Sequence, residues 1–386
     1  MTLPEGARLE LRIGPVAHGG HMVARTPEGQ VVFVRHALPE ELVVVEITEA
    51  PSAGGGRFLR GDAVEVLEAS PDRVAPPCPF SGPGRCGGCD FQHVDLAEQR
   101  RLKGAVVSEQ LARLAGIERE VVVEEVPSPV DQSPGLHWRS RMQYVDLPGG
   151  GVGLRKHRSH EVVEIDRCLI DAAGGPPVPQ EGPSPVSKGV PTVTETVTTS
   201  YGTRTFEVAA DGFWQPHLEA PRVLVETALG MLAPQEGERA LDLYAGVGLL
   251  SSFLADVVGP GGSVVAVEGD KVASRLSRSN LAGQPWARAV HGPVDRVLRR
   301  GVGGADLVVL DPPRTGAKRA VVRSIAALGP RAVAYVACDP AALARDLGYF
   351  AEEGGRLAAL RAFDLFPMTH HVECVALVVP ADAHEG

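Results

Sequence analysis

The sequence predicts a chain in three parts: a small β-barrel, a cysteine-bearing α+β segment, and a doubly wound α/β domain. Three observations predict this. From about residue 211 apolar strands alternate with helical stretches. Residues 1–68 hold only short strands broken by turns. The stretch between them carries four of the six cysteines in surroundings rich in Pro and Gly.

A chain of 386 residues exceeds what one compact core usually serves. No apolar stretch approaches the roughly 20 residues that span a bilayer, and Met-Thr-Leu-Pro-Glu-Gly-Ala-Arg lacks the regions of a signal peptide. The expected location is the cytoplasm, where thiols stay reduced, so metal or catalytic roles for the cysteines outrank disulfides. The net charge of -10 argues against holding nucleic acid by bulk electrostatics but leaves room for a local basic groove.

In the first part, Leu9–Ile13, Gln30–Val34, Leu42–Ile47 and Asp62–Leu67 read as strands, with a turn at Gly19-Gly20. Such a barrel, of the oligonucleotide-binding kind, serves RNA or another protein. Residues 71–93 are loop-like, and residues 95–116 read as an amphipathic helix able to pack on the α/β domain. Strand-like pieces follow at 121–126, 141–147 and 161–165, then a Pro/Gly/Ser-rich loop or linker at 171–192. His137-Trp-Arg139-Ser-Arg141 and Arg155-Lys156-His157-Arg158, interleaved with Trp138 and Tyr144, suit single-stranded nucleic acid. A solvated strand face is the plain alternative.

Cys78, Cys86 and Cys89 give the spacing C-x7-C-x2-C, and Cys168 offers a fourth ligand. Four thiolates from a loop-rich segment hold zinc or an iron–sulfur cluster, and the spacing leaves both open.

In the last part, apolar strands stand at Arg239–Leu243, Ser263–Val267, Ala305–Leu310 and Arg331–Ala337. Two more, Leu357–Leu365 and Val372–Val379, are only six residues apart, which forces antiparallel pairing. A parallel sheet that ends in such a hairpin is the arrangement of class I methyltransferases. The first strand leads into Leu241-Asp242-Leu-Tyr244-Ala-Gly246-Val-Gly248, where glycines let the backbone approach a cofactor at a helix N-terminus. A dinucleotide fingerprint needs a third glycine where Ser251 stands, so S-adenosylmethionine fits better than NAD. Glu268, at the end of the second strand and 22 residues after Gly246, is placed to accept ribose hydroxyls. Asp311-Pro312-Pro313-Arg314 forces an extended loop where a substrate base would enter.

Cys338 closes the apolar run that starts at Arg331 and is followed by Asp339-Pro340 and a helical stretch. A thiol at a strand end, before a helix whose dipole favours the thiolate, is placed to act as a nucleophile. A small core cysteine is the plainer reading.

The first 68 residues resemble a TRAM domain around His18-Gly-Gly-His-Met-Val-Ala-Arg25 and Val31-Val-Phe-Val34. Over nearly its whole length the chain resembles the RNA uracil-C5 methyltransferase family. Its motifs are Phe213-Trp-Gln215-Pro, Asp311-Pro-Pro-Arg314, Tyr335-Val-Ala-Cys338-Asp-Pro340 and Phe366-Pro367-Met-Thr-His-His-Val-Glu373. The resemblance implies a TRAM barrel at 1–68, a small α+β iron–sulfur domain at 69–210 and a class I S-adenosylmethionine methyltransferase (Rossmann-like) domain at 211–386. It implies Cys338 as nucleophile and Glu373 as base, with Gln215, Tyr244, Gly246, Gly248, Glu268 and Asp311 at the cofactor. It implies a [4Fe-4S] cluster on Cys78, Cys86, Cys89 and Cys168. The implied enzyme is a monomer that forms 5-methyluridine in structured RNA, with 23S ribosomal RNA the expected substrate and transfer RNA the alternative.

Asp339, Leu249 and His217 depart from the family pattern, and the gap from Cys78 to Cys86 is two residues longer than usual. An RNA cytosine-C5 methyltransferase would carry a cysteine in the strand-end motif where Asp311-Pro-Pro has none. A non-catalytic iron–sulfur RNA-binding protein would not need Cys338 and Glu373 together. The chemistry asks for both: uracil C5 is too weak a nucleophile until a thiolate adds at C6, and a base must then take the C5 proton. The final hairpin brings Glu373 beside the strand ending in Cys338, where partial desolvation raises its pKa.

Overall fold

A computed structural model describes residues 3–50, 58–129, 133–172 and 190–382. By contact the chain divides into two compact units. The first comprises Met1–Glu109, Glu120–Val178 and Asp364–Val372, and the second Gln110–Arg119, Pro179–Phe363 and Glu373–Gly386.

The first unit opens with β1 (Arg8–Arg12), β2 (Met22–Arg25), β3 (Val31–Arg35), β4 (Leu42–Glu49) and β5 (Phe58–Glu68). They form one sheet in the order β1-β4-β5-β3-β2, parallel only between β3 and β5. The edge strands β1 and β2 come together, so the sheet curls into a barrel. Alternation explains why: Val32, Val34, Val43, Val45 and Ile47 point inward and are fully buried, each contributing roughly 1.5–3 kcal/mol. Where β4 crosses β5, a Cβ on Gly61 would stand 2.7 Å from the Glu46 carbonyl oxygen, so no larger residue fits.

Helix α1 (Leu96–Gln110) continues into a π-turn, Leu111–Ala115, closed by Gly116 at φ 66°. The π-turn packs on a later helix of the second unit. The sequence predicts one helix to residue 116; the turn at Leu111 is where the chain passes between units. Beyond it come β6 (Val123–Glu125), then a sheet of β7 (Val145–Asp146), β8 (Val152–Arg155) and β9 (Val162–Ile165). Most of the loop expected at 171–192 lies outside the described residues.

The second unit begins with the hairpin β10 (Thr192–Thr199) and β11 (Gly202–Ala209), followed by α2 (Ala220–Leu232). Then alternate β12 (Arg239–Leu243), α3 (Leu249–Val258), β13 (Ser263–Glu268), α4 (Lys271–Asn280), β14 (Ala287–His291), α5 (Val294–Arg300), β15 (Leu307–Leu310), α6 (Lys318–Ala326), β16 (Ala332–Ala337) and α7 (Pro340–Glu352). The chain ends in β17 (Gly355–Asp364) and β18 (Glu373–Pro380). Strand order is β14-β13-β12-β15-β16-β18-β17. The first five strands are parallel, and β18 runs antiparallel to both β16 and β17. All six residues of β16 are buried, because α2 and α7 both pack on it. The β10–β11 hairpin packs on α2, α3 and α4, although the sequence reading counts residues up to 210 with the middle domain.

Candidate active site

In the second unit the strand order reverses between β12 and β15, and open α/β sheets bind ligands outside the carboxyl ends of strands at such a point. The expected cofactor residues sit there. Tyr244, the first residue after β12, holds a left-handed φ of 62°, which turns the chain sharply off the strand. Gly246 (φ 55°) has open space where a Cβ would be, and a Cβ on Gly248 (φ 92°) would stand 2.9 Å from Ser277 Oγ. Gly248 therefore needs glycine, Gly246 takes its left-handed turn most readily as glycine, and the loop presents bare backbone at the start of α3. The Glu268 carboxylate accepts the N–H groups of Gly246 at 2.8 Å and Asp270 at 2.6 Å. It thereby fixes the glycine loop.

Ser251, which interrupts the dinucleotide fingerprint, donates to the buried Asp242 at 2.5 Å. Burial first, then Ser251's offsetting hydrogen bond and the nearby Asp311, leave Asp242 at about 7. Gln215 Nε2 donates to Asp311 Oδ2 at 3.2 Å, which joins the two family motifs at one point. Burial pushes Asp311 up to about 7, against the pull of Gln215. The crevice is thus rich in desolvated carboxyls, a setting that favours a cationic ligand such as a sulfonium.

Cys338 follows the last residue of β16, and Glu373 is the first residue of β18. Ala337 pairs with Cys374, so Cys338 and Glu373 are next in register at the same sheet end. Burial holds the Cys338 thiol at about 12, with Glu373 and Asp311 adding to the rise and Arg314 opposing it. The resting site therefore does not lower this thiol as a helix dipole alone would. Asp339 adds least to that rise. It caps α7 instead, accepting the Ala342 N–H at 2.8 Å in the manner preferred at helix starts. Glu373 is buried, and burial first, then Asp311, drive its pKa well up, with Arg314 pulling down.

Two other departures from the family pattern have plain local roles. Leu249 is the buried first residue of α3. His217 is buried, and its Nδ1 accepts the Glu219 N–H at 3.0 Å.

Sequence reasoning missed Asp346. This buried residue of α7 takes Tyr335 Oη at 2.7 Å, Ala317 N at 2.6 Å and Lys318 N at 3.2 Å on a single oxygen. It therefore ties down the loop that carries Asp311 and Arg314. An Asp mid-helix carries no signal of its own; only the fold brings its donors together.

In the first unit, Cys78, Cys86, Cys89 and Cys168 all line one cavity of about 550 Å³. Gly87 lets their loop lie against β8: its N–H donates to the Arg155 carbonyl at 3.0 Å, and a Cβ there would stand 2.3 Å from His157 N. The Gly88, Ile170 and Asp171 backbone and the Gln92 side chain favour the thiolate forms of the nearby Cys86, Cys168 and Cys89. Burial chiefly, and their mutual repulsion, push Cys86, Cys89 and Cys168 up. Arg139, Lys156 and Arg158 line the same cavity, a cationic wall that suits an anionic thiolate cluster. Among the described residues no three His, Cys, Asp or Glu side chains converge as a ready grip for a metal ion.

The expected nucleic-acid cluster is corrected at one residue. Trp138 is 1% exposed and packs with Cys89, Ile170 and Met368, so its ring is core and offers no stacking face. Tyr144 donates to Asp171 Oδ2 at 2.6 Å.

A parallel sheet closed by an antiparallel hairpin, with a glycine loop and a strand-end acid at its switch point, defines a class I S-adenosylmethionine-dependent methyltransferase. Residues 4–64 match the TRAM domain, and residues 304–380 match the tRNA (uracil-5-)-methyltransferase family. An RNA methyltransferase of Streptomyces avermitilis is 46% identical over 97% of this chain and 99% of its own. The 23S rRNA (uracil(1939)-C(5))-methyltransferase RlmD of Alkalilimnicola ehrlichii is 30% identical over 95% of this chain and 96% of its own. The tRNA (uracil-54, C5)-methyltransferase of Pyrococcus abyssi, solved with S-adenosyl-L-homocysteine, shares the fold at a TM-score of 0.66 and 21% identity, over 96% of this chain and 100% of that one. The chain belongs to the RNA uracil-5-methyltransferase family. No helix among the described residues is long and apolar enough to cross a membrane.

Proposed function

We propose that the chain makes 5-methyluridine in 23S ribosomal RNA, with Cys338 as nucleophile and Glu373 as base. The observation that carries the mechanism is the register that sets these two residues side by side at the end of β16 and β18. The Cys338 sulfur adds to uracil C6, the C5=C6 pair moves toward C5, and C5 becomes able to take a methyl group. Gln215, Tyr244, Gly246, Gly248, Glu268 and Asp311 would hold S-adenosylmethionine, which supplies that methyl group from a sulfonium. Glu373 then takes the C5 proton, C5=C6 re-forms, and the C6–S bond breaks to return the thiolate. A thiol at about 12 must give up its proton as it attacks; the proton passes to solvent, which reaches the half-buried Cys338, and a bound sulfonium or the Arg314 guanidinium favours the thiolate left behind.

The ribosomal assignment rests on the 30% identical relative named for 23S rRNA. Transfer RNA, named for the Pyrococcus abyssi enzyme of similar fold, is the second reading. The four cavity-lining cysteines are proposed to hold a [4Fe-4S] cluster, which would order the loops around it. A cytoplasmic setting agrees with reduced thiols and an RNA substrate.

The test is RNA containing 5-fluorouracil with S-adenosylmethionine. A covalent protein–RNA complex that is lost in Cys338→Ala is expected, because fluorine at C5 cannot leave as a proton. Absence of any complex and of any methyl transfer to ribosomal or transfer RNA would overturn the reading.

A further inference from the structure

Glu373 does not begin its strand unaided. The segment before it, Asp364–Val372, clusters with the first unit, and Glu373 is the next residue in the chain. Two side chains one helical turn apart on α1 grip that segment. Lys103 is fully buried; its Nζ contacts Asp364 Oδ1 at 2.5 Å and donates to the Phe366 carbonyl at 3.0 Å. Gln99, equally buried, accepts the Met368 N–H on Oε1 at 2.8 Å. Its Nε2 donates to the Phe91 and Val94 carbonyls at 3.0 Å each, so the amide cannot turn. Met368 itself sits at φ 67°, a conformation that persists in a bulky residue only when its surroundings over-determine it.

A buried ion pair is a poor way to add stability, since apolar residues of similar volume serve as well or better. Its direction and specificity are what it supplies. The register here has a consequence for chemistry. Glu373 pairs with Phe363, while its neighbour Cys374 pairs with Ala362 and Ala337. A slip of one residue turns every side chain of β18 to the other face and puts Cys374 in the place of the base.

We infer that Gln99 and Lys103 are positioning residues that set the register of β18 and so aim Glu373 at its proton. This rests on the proposed role of Glu373 as base. The experiment uses the full chain with S-adenosylmethionine and RNA containing ordinary uridine. In Lys103→Met and Gln99→Met, kcat falls by about 10- to 100-fold, as for a catalytic group misplaced by about 1 Å. KM for RNA and for S-adenosylmethionine stays within about twofold. A methylated covalent protein–RNA complex accumulates, as it does in Glu373→Gln, because only proton removal is slowed. Lys103→Arg, which keeps the charge, restores turnover. If Lys103→Met does not fold, Gln99→Met leaves the ion pair intact and reads the same partition. Unchanged kcat per folded molecule overturns the inference, and so does a fall in kcat without trapped complex. The 5-fluorouracil complex of the unaltered protein separates the two failures: if it forms while both variants turn over normally, only the positioning role is lost.

Discussion

Asp242 lies inside β12, wholly buried, and its one described side-chain partner is Ser251. With a pKa of about 7 against an ordinary carboxylate value near 4, the folded chain holds a proton that the unfolded chain has already released. Unfolding then releases that proton, so stability falls as pH rises from about 4 to about 7 and is flat above. Each such group contributes a slope of at most about 1.4 kcal/mol per pH unit. Asp311, raised to about 7 by burial, acts in the same direction. In Asp242→Asn the Ser251 hydrogen bond survives while the titration disappears. The thermal midpoint of the cofactor-free protein should decline between pH 5 and 7, and decline less steeply in the variant. Parallel curves would show that Asp242 keeps an ordinary pKa. The same desolvated acids explain why a cationic cofactor suits the crevice: its charge is stabilised by groups the fold already holds there.

At the scale of elements, the loop from Asp311 to Ala317 shows how position is made. Gly316 has φ 75°, and a Cβ on it would stand 2.5 Å from Asp346 Oδ2, the oxygen that anchors the loop. Gly329 has a similar φ of 66° with nothing within 4 Å of its Cβ position. Both Gly→Ala changes cost about 1–3 kcal/mol of backbone strain, so both should lower the thermal midpoint. Only Gly316→Ala should also lower kcat, since it displaces the loop carrying Asp311 and Arg314; equal kcat in the two variants would remove the loop from the mechanism. Much of this unit was readable from sequence because its signals are local. Continuous apolar runs marked β12, β13, β15 and β16, and a short gap between two apolar runs, six residues as read and eight as found, marked the final hairpin. Other elements left no such trace. β14 (Ala-Arg-Ala-Val-His) is a half-exposed edge strand, and β10 (Thr-Val-Thr-Glu-Thr-Val-Thr-Thr) buries little of its surface. Trp138 read as a nucleic-acid contact from its basic neighbours, yet its burial is settled by residues as distant as Met368. Gln99 and Lys103 were invisible for the same reason: their partners stand 269 and 261 residues away along the chain.

For the whole molecule, a net charge of -10 means that RNA must be held by a confined surface. The barrel offers one. Phe33 and Phe58 stand edge to face at 5.1 Å, and the Arg60 guanidinium lies 5.7 and 5.2 Å from their ring centres. Phe58 is 39% exposed, unusual for so large an apolar ring. His21 packs on Phe33 at 6.2 Å and is held at about 4 by burial, then by Arg60 and Arg35, so it stays neutral at pH 7. Positive charge at this spot therefore comes from arginine, and the exposed ring supplies a stacking face, the combination that binds unpaired bases. Phe58→Ala should weaken RNA binding by about 1–3 kcal/mol, the worth of one stacked base, and leave the salt dependence unchanged. Arg60→Ala should instead flatten the plot of log K against log salt by about 0.7, the share of one phosphate contact on a single strand. Titrations of the two variants from low to moderate salt distinguish stacking from charge. If neither changes affinity, RNA is held elsewhere, and the basic wall of the cysteine cavity, with Arg139, Lys156 and Arg158, becomes the surface to test.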